Sequence, residues 1–470
     1  MDVVYERCAG LDVHKKNVVA CRLIRGEDGR SRHEVKSFET MTQNLLELSD
    51  WLAEAEVTHV AMESTGEYWK PVYNILEGHF ELLLVNARHI KMVPGRKTDV
   101  GDAQWIANLL QHGLLKASFV PPAPQRALRE LTRHRSTFIR QRATLSNRIQ
   151  KVLEGCNIKL ASVATDVLGA SGKAMLRAMV DGQQDPTQLA QLAKGKLRDK
   201  NQALERALRG KIERHHVVVL GELLNQVDSL DKSIITFTAE IEKMCKQNNS
   251  GQGNGDGSGG GEPAEGGPGG LATAQAPIAF PCAPAPDVPT PPNAGKAAPP
   301  LPPLRYSEAV KLLLTIPGIG KSTAEMIISE IGTNMARFPS AHHLSAWGGV
   351  APANNISGGK ILSATTRLGN KALKSGLIQA AQAAARTRCT YLAAQYKRLA
   401  KKRGAKRAAM AVAHSILIII YCMLRDHAPY RELGGDYFEK LKPQATVNNL
   451  CRRITSLGYT VELTPLAATP

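Results

Sequence analysis

A chain of 470 residues is long enough for two or three domains of about 150 residues each. Its hydrophobic fraction of 43% is that of an ordinary soluble globular protein, and 60 Lys and Arg against 42 Asp and Glu leave a formal net charge of +18. That excess favours a polyanionic partner through long-range attraction and counterion release, although basic composition alone is a weak signal. The eight cysteines form no C-x-x-C pair and are irregularly spaced, which argues against a zinc ribbon or a disulfide framework and suits a reducing cytosol. No basic stretch followed by an apolar core opens the chain, so no signal peptide is expected. The apolar run at 415–424 is too short to span a bilayer and reads as a buried helix, so no membrane partner is expected.

The first 120 residues alternate strand and helix patterns. Strands are expected at 3–13, 17–24 and 34–38, with a turn at Gly26-Glu27-Asp28-Gly29. A helix follows, with Leu45, Leu46, Leu48, Trp51 and Leu52 on its apolar face. A fourth strand at 58–62, a helix at 68–76 and a fifth strand at 81–85 complete the series. Three hairpin-joined strands followed by alternating helices and strands is the order of an α/β RNase H-like domain, here 1–122, closed by Pro121, Pro122 and Pro124.

A helical region is expected over 123–247. Its first part carries Arg126, Arg129, Arg133, Arg135, Arg140, Arg142 and Arg148, compatible with RNA or with DNA. Between 220 and 244, Leu220, Leu223, Val227, Leu230, Ile234, Phe237, Ile241 and Met244 recur in steps of three and four. That is the pattern of a coiled coil, or of one helix in an antiparallel bundle. Residues 248–304 are dominated by Gly, Pro, Ala and Ser, and read as a disordered linker with too little apolar surface to offset its ordering entropy. A mainly α domain is expected over 305–440, and a tail over 441–470.

Four acids draw attention. Asp12, in Gly10-Leu11-Asp12-Val13-His14-Lys15-Lys16, ends the first strand, and Glu63, in Met62-Glu63-Ser64-Thr65-Gly66, ends the fourth. In an RNase H-like sheet these strands are neighbours. Asp99 and Asp102, in Lys97-Thr98-Asp99-Val100-Gly101-Asp102-Ala103, lie three apart at a helix start. Four converging carboxylates need cations, and oxygen ligands suit Mg²⁺ or Mn²⁺. Two such ions can clamp a phosphodiester. Singly, each acid has an ordinary explanation: Asp99 as a helix N-cap, Asp102 as a charge near the helix dipole, Asp12 as a turn residue.

Farther on, Ile316-Pro317-Gly318-Ile319-Gly320-Lys321 reads as the turn of a helix-hairpin-helix, whose second-helix amides can take a phosphate through Gly318, Gly320 and Lys321; the alternative is a plain packing corner. The spacing is not that of a P-loop. Ser357 precedes two glycines in Asn354-Asn355-Ile356-Ser357-Gly358-Gly359-Lys360, with Lys360, Arg367 and Lys371 able to hold phosphates around it. A serine hydroxyl needs activation and no His neighbours this one, so the residues alone read it as a loop serine. The tract Lys397, Arg398, Lys401, Lys402, Arg403, Lys406 and Arg407 faces nucleic acid or solvent.

Taken in this order, these motifs resemble the DEDD transposases of bacterial insertion sequences, which pair a RuvC-like N-terminal domain with a C-terminal serine transposase domain. The resemblance covers nearly the whole chain apart from the Gly/Pro segment. It implies a metal-binding tetrad of Asp12, Glu63, Asp99 and Asp102, and a catalytic serine at Ser357, with Ser363 as the alternative position. It also implies a cytoplasmic, nucleoid-associated enzyme that cuts and rejoins DNA. A structured RNA encoded by the element would guide it, and it would work as a homo-oligomer, dimer or tetramer, with a coiled coil between its domains and the metals supplied from a partner subunit. The competing readings are a RuvC-like structure-specific endonuclease and a non-catalytic nucleic-acid-binding protein that keeps only the fold.

Overall fold

The computed structural model describes residues 2–26, 28–64, 66–86, 101–250, 301–352, 355–357, 360–363, 365–366, 369–441 and 443–463. The chain divides into two compact units, Met1–Pro122 and Ala123–Pro470.

The first unit is built on a five-stranded mixed sheet in the order β3-β2-β1-β4-β5. Strands β1 (Arg7–Val13), β2 (Asn17–Arg25) and β3 (Ser31–Glu39) form an antiparallel meander. Strands β4 (His59–Glu63) and β5 (Glu81–Val85) run parallel to β1, and each needs a crossover helix. This order is compatible with an RNase H-like domain. Strand β1 starts at Arg7 rather than at residue 3, because the amides of Val4 and Tyr5 turn aside to the carbonyl of Gln111.

Helices cover both faces of the sheet. Helices α1 (Thr42–Glu54) and α2 (Trp69–Leu76) bury Leu45, Leu48, Leu52, Val72 and Leu76 against Ala9, Leu11 and Val13 of β1 and against Val60 and Met62 of β4. Leu46, expected on the buried face of α1, is 52% exposed. At 100° per residue it lies off the stripe made by Leu45, Leu48 and Leu52. The opposite face packs on α3 (Asp102–Gln111), where Ala103, Ile106, Ala107 and Leu110 meet Cys8, Cys21, Ala61 and Val85.

In the second unit, α4 (Ala123–Gly155) and α6 (Arg214–Ser250) are the long elements, with α5 (Ala170–Val180) and short helices between them. Leu128 packs near Ile241 and Cys245, Arg142 pairs with Asp231, and Ile149 and Leu153 share a core with Leu220, Leu224 and Val227. Helices α4 and α6 are therefore antiparallel, and helix α4 of the same chain covers much of the three-four seam of α6.

Beyond the Gly/Pro segment come α7 (Tyr306–Leu313), α8 (Lys321–Ile331), α9 (Ala341–Trp347), the hairpin β6 (Asn355–Ser357) and β7 (Lys360–Ser363), α10 (Lys371–Ala384), α11 (Tyr391–Arg403), α12 (Ala405–Asp426) and α13 (Pro443–Thr455). By length and composition α12 could cross a membrane, but Val412, Ile416, Leu417, Ile420 and Leu424 sit fully inside the core formed with α7, α8 and α10.

Helix α8 also docks on α4 through charge. Arg135 is 1% exposed and its Nη1 lies 2.7 Å from Oε2 of Glu325, an ion pair whose angle falls outside hydrogen-bond geometry. Arg135 also donates from Nη2 to the carbonyl of Ser322 at 3.3 Å. Such a pair adds little net stability, but losing one partner strands the other charge in the interior. Arg135→Ala should lower unfolding stability by about 3–5 kcal/mol, and Arg135→Met combined with Glu325→Met should restore most of it. Urea-unfolding midpoints of the full chain check both.

Candidate metal centre and serine hairpin

Side chains alternate along a strand. Ala9, Leu11 and Val13 face α1 and α2, so Cys8, Gly10 and Asp12 face α3. By the same alternation Val60 and Met62 face one way, and Ala61 and Glu63 the other. The parallel register pairs Leu11 with Met62, which places Asp12 and Glu63 one step farther on, side by side at the C-terminal ends of their strands.

Helix α3 brings the third acid. Cys8 Sγ donates to the carbonyl of Ala107, and a Cβ on Gly10 would lie 2.3 Å from the Ala103 carbonyl oxygen and 2.3 Å from the Ala107 nitrogen. As the chain advances from Val4 to Cys8 and Gly10 of β1, its contacts on α3 recede from Gln111 through Ala107 to Ala103. The two elements are antiparallel, so Asp102, the first residue of α3, lies at the Asp12 end of β1. All three carboxylates are half-buried. Nε2 of His14 lies 3.1 Å from Oδ2 of Asp12, a partner the motif contained without marking. Asp99 lies outside the described residues.

The donors at this end of the sheet are carboxylate oxygens, with one imidazole beside Asp12, but no three of them close to within 4.8 Å of one another; among the described residues that is found at Glu213, His215 and His216. Hard oxygen ligands at a sheet edge fit Mg²⁺ or Mn²⁺ far better than a soft metal. Nearby thiols do not compete: burial pushes Cys8 up to about 12 and Cys21 up to about 11.

The serines lie in the second unit. Ser357 pairs with Lys360, and Asn355 with Ser363, across the β6–β7 hairpin. Gly358, Gly359 and Arg367 lie outside the described residues, as do the side chains of Ser357, Lys360 and Ser363. The hairpin stands on a braced base. Pro352 bridges Thr366, Lys374 Nζ donates to Thr366 Oγ1 at 2.7 Å, and the Asn370 amide donates to the carbonyl of Trp347 at 3.3 Å. A Cβ on Gly369 would meet the Gly349 nitrogen at 2.4 Å, so only glycine lets the two legs of the base close. Lys371 is exposed at the start of α10, whose N-cap is Asn370.

The glycine turn between α7 and α8 has a packing role. Gly318 has φ +89°, and a Cβ there would lie 2.4 Å from the Ala384 nitrogen of α10. Gly320 is the N-cap of α8, with open space around it. Lys321 is ion-paired with Glu242 of α6, which raises the lysine and lowers the carboxyl.

The arginine helix is more inward-looking than its composition suggests. Arg129 and Arg133 meet Glu330, Arg135 meets Glu325, and Arg142 meets Asp231. Burial pulls Arg129 down to about 10 despite Glu330. By contrast, the basic tract from Lys397 to Arg407 is exposed at all seven of its Lys and Arg residues.

Two family models match the chain in order. A DEDD transposase model of the IS110 type, described as Transposase, matches residues 9–158, and a model described as Transposase IS116/IS110/IS902 family matches residues 310–397. The pilin gene-inverting proteins of Moraxella bovis and Moraxella lacunata are each 34% identical over 122 residues, 25% of this chain and 38% of theirs. The transposase for insertion sequence element IS1111A of Coxiella burnetii is 30% identical over 131 residues, 27% of this chain and 36% of its own. The chain thus spans little more than a third of the length of these curated relatives.

Gly10→Ala tests how the acids are brought together. The added methyl must displace the backbone of α3, at a cost of about 1–3 kcal/mol. A thermal melt of the full chain should show the loss, and an unchanged melting profile would mean that α3 does not rest on Gly10.

Proposed function

The chain belongs to the DEDD transposase family of insertion sequences, and on that premise we propose that it is a metal-dependent DNA transposase that cuts and rejoins DNA. What supports this reading is that register and packing put Asp12, Glu63 and Asp102 on one face and toward one end of the sheet. An acid at the end of a strand has ordinary explanations when alone. Three of them from three separate elements, at one end of a sheet whose Gly10 admits the helix, do not share one.

Asp12, Glu63, Asp99 and Asp102 are the residues that would hold divalent ions, as the family's general dependence on divalent metal supports. Bound there, such ions supply charge neutralisation for a phosphodiester in a displacement reaction. His14 stays within reach of the Asp12 carboxylate and orients it.

Ser357 is the proposed nucleophile. Its oxygen forms a bond to phosphorus as one bridging P–O bond breaks, and the departing DNA oxygen leaves as a free hydroxyl after taking up a proton. The serine is left esterified to the DNA end. Lys360, Arg367 and Lys371, with the turn amides after Gly318 and Gly320, are proposed to hold backbone phosphates. Lys321 would have to leave Glu242 to join them. A helix-hairpin-helix role for α7–α8, an element-encoded guide RNA, a homo-oligomer and a cytoplasmic site of action complete the reading, supported by family membership and by the excess of basic residues.

Ser357→Ala should abolish covalent protein–DNA adducts and recombination while leaving DNA affinity within about twofold at fixed salt. Adducts that persist in Ser357→Ala and vanish in Ser363→Ala would move the nucleophile to Ser363. Free 5′-phosphate and 3′-hydroxyl ends with no protein attached would favour a RuvC-like endonuclease instead. Mg²⁺ should raise the melting temperature of the wild-type protein, and Asp12→Asn should lose that rise. Activity indifferent to Asp12→Asn would remove the metal centre from the mechanism.

A further inference from the structure

We propose that Glu330 is a positioning residue for the serine hairpin, one that couples the arginine helix α4 to the hairpin's base through Asn370. This rests on the reading that the hairpin carries the nucleophile.

Glu330 lies on α8 and is fully buried. A buried carboxylate is costly unless every oxygen is engaged. Here Arg133 meets it as a fork, Nε to Oε1 at 2.6 Å and Nη2 to Oε2 at 2.9 Å. Arg129 Nε lies 3.5 Å from Oε2, and its Nη2 donates to the Glu330 carbonyl. The remaining hydrogen bond comes from the other side: Asn370 Nδ2 donates to Oε2 at 2.6 Å.

Asn370 occupies a joint. Its Oδ1 caps α10 by accepting from the Leu373 amide at 3.1 Å, and its own amide binds the Trp347 carbonyl. One side chain therefore fixes the start of α10, and its backbone fixes the returning leg of the hairpin against the outgoing one. Arg129 reaches the same place from α4, with its guanidinium 5.9 Å from the centre of the Trp347 ring. The base of the hairpin is thus held on both legs by groups that meet at Glu330.

Capping α10 alone would not need a buried charge, since Ser or Asp would do it. Docking α4 on α8 alone would not need Asn370. The shared carboxylate makes the two contacts interdependent, because moving α4 withdraws the arginines and leaves Glu330 held by Asn370 alone. Low local polarity makes such a network strong when complete and costly when broken. The arrangement suits a hairpin whose backbone must be set to within about 1 Å of a phosphodiester before a poor nucleophile can attack.

The test uses the full chain with Arg133→Ala, Asn370→Ser and the double variant. Each single variant leaves Glu330 with a partner, and Ser keeps the helix cap while falling short of Glu330. Amide hydrogen exchange of residues 355–363 should accelerate about tenfold in each single variant and no further in the double. Single-turnover adduct formation at saturating DNA should fall by a similar factor with DNA affinity unchanged. Wild-type exchange in either single variant, or accelerations that multiply in the double, would overturn the coupling. If the wild-type protein forms no adduct, the nucleophile reading fails, while hairpin exchange still decides the role of Glu330.

Discussion

Arginines on one long helix are neutralised by glutamates buried on another, and the second unit is organised around that constraint. Helix α4 has 33 residues, so at 1.5 Å per residue it extends about 50 Å. Its apolar stripe serves α6 along much of that length, while Gln125, Arg129, Thr132, Arg133 and Arg135 serve α8. A guanidinium can be taken from water only if its donors are met, and a carboxylate only if its acceptors are. Helix α8 supplies both kinds of partner: the Glu325 and Glu330 carboxylates, and the backbone carbonyls of Ser322, Ser329 and Glu330. The match fixes the rotation and register of α8 on α4 in a way that apolar packing alone would leave looser.

The first unit obeys a different constraint, steric rather than electrostatic. Gly10 has no Cβ, so α3 lies directly on β1, with Asp102 toward the end of the sheet where Asp12 and Glu63 lie. Much of this was legible in the sequence. The alternation of short apolar runs gave the strand order, and strand order made the ends of β1 and β4 neighbours. The Gly10-Leu11-Asp12 motif contained the close-approach residue, but nothing local distinguishes a glycine that admits a helix from one that merely turns. The distinction depends on Ala103 and Ala107, more than 90 residues away in the chain.

The same limit explains why the arginine helix looked ready for nucleic acid. A run rich in Arg with few acids nearby reads as a basic surface when the partners are distant. Glu330 is 197 residues from Arg133, beyond the Gly/Pro segment, and no periodicity connects them. Leu46 shows a smaller version of the problem: two adjacent leucines cannot both lie at the centre of a helical stripe, and only packing chooses between them. Asn370 was invisible for another reason. As an N-cap it satisfies an ordinary rule, and its second hydrogen bond, to a buried carboxylate, leaves no mark in the sequence.

This inward turn of charge bears on how the protein would hold DNA. Counterion release requires cations that can reach phosphates, and a guanidinium locked to a buried carboxylate cannot. Arg129 and Arg135 are taken up by the fold and Arg142 by Asp231, while Arg133 pairs with Glu330 and keeps 48% of its side chain exposed. Lys401, Lys402, Lys406 and Arg407 are exposed and cluster where α11 ends and α12 begins, at a glycine with φ +81°. Net charge counts Arg129 and Arg135 although burial withdraws them from solvent, so it overstates the exposed basic surface of this chain. Arg129 and Arg133 brace the base of the hairpin through Glu330, and the exposed tract from Lys397 to Arg407 is a separate set of cations.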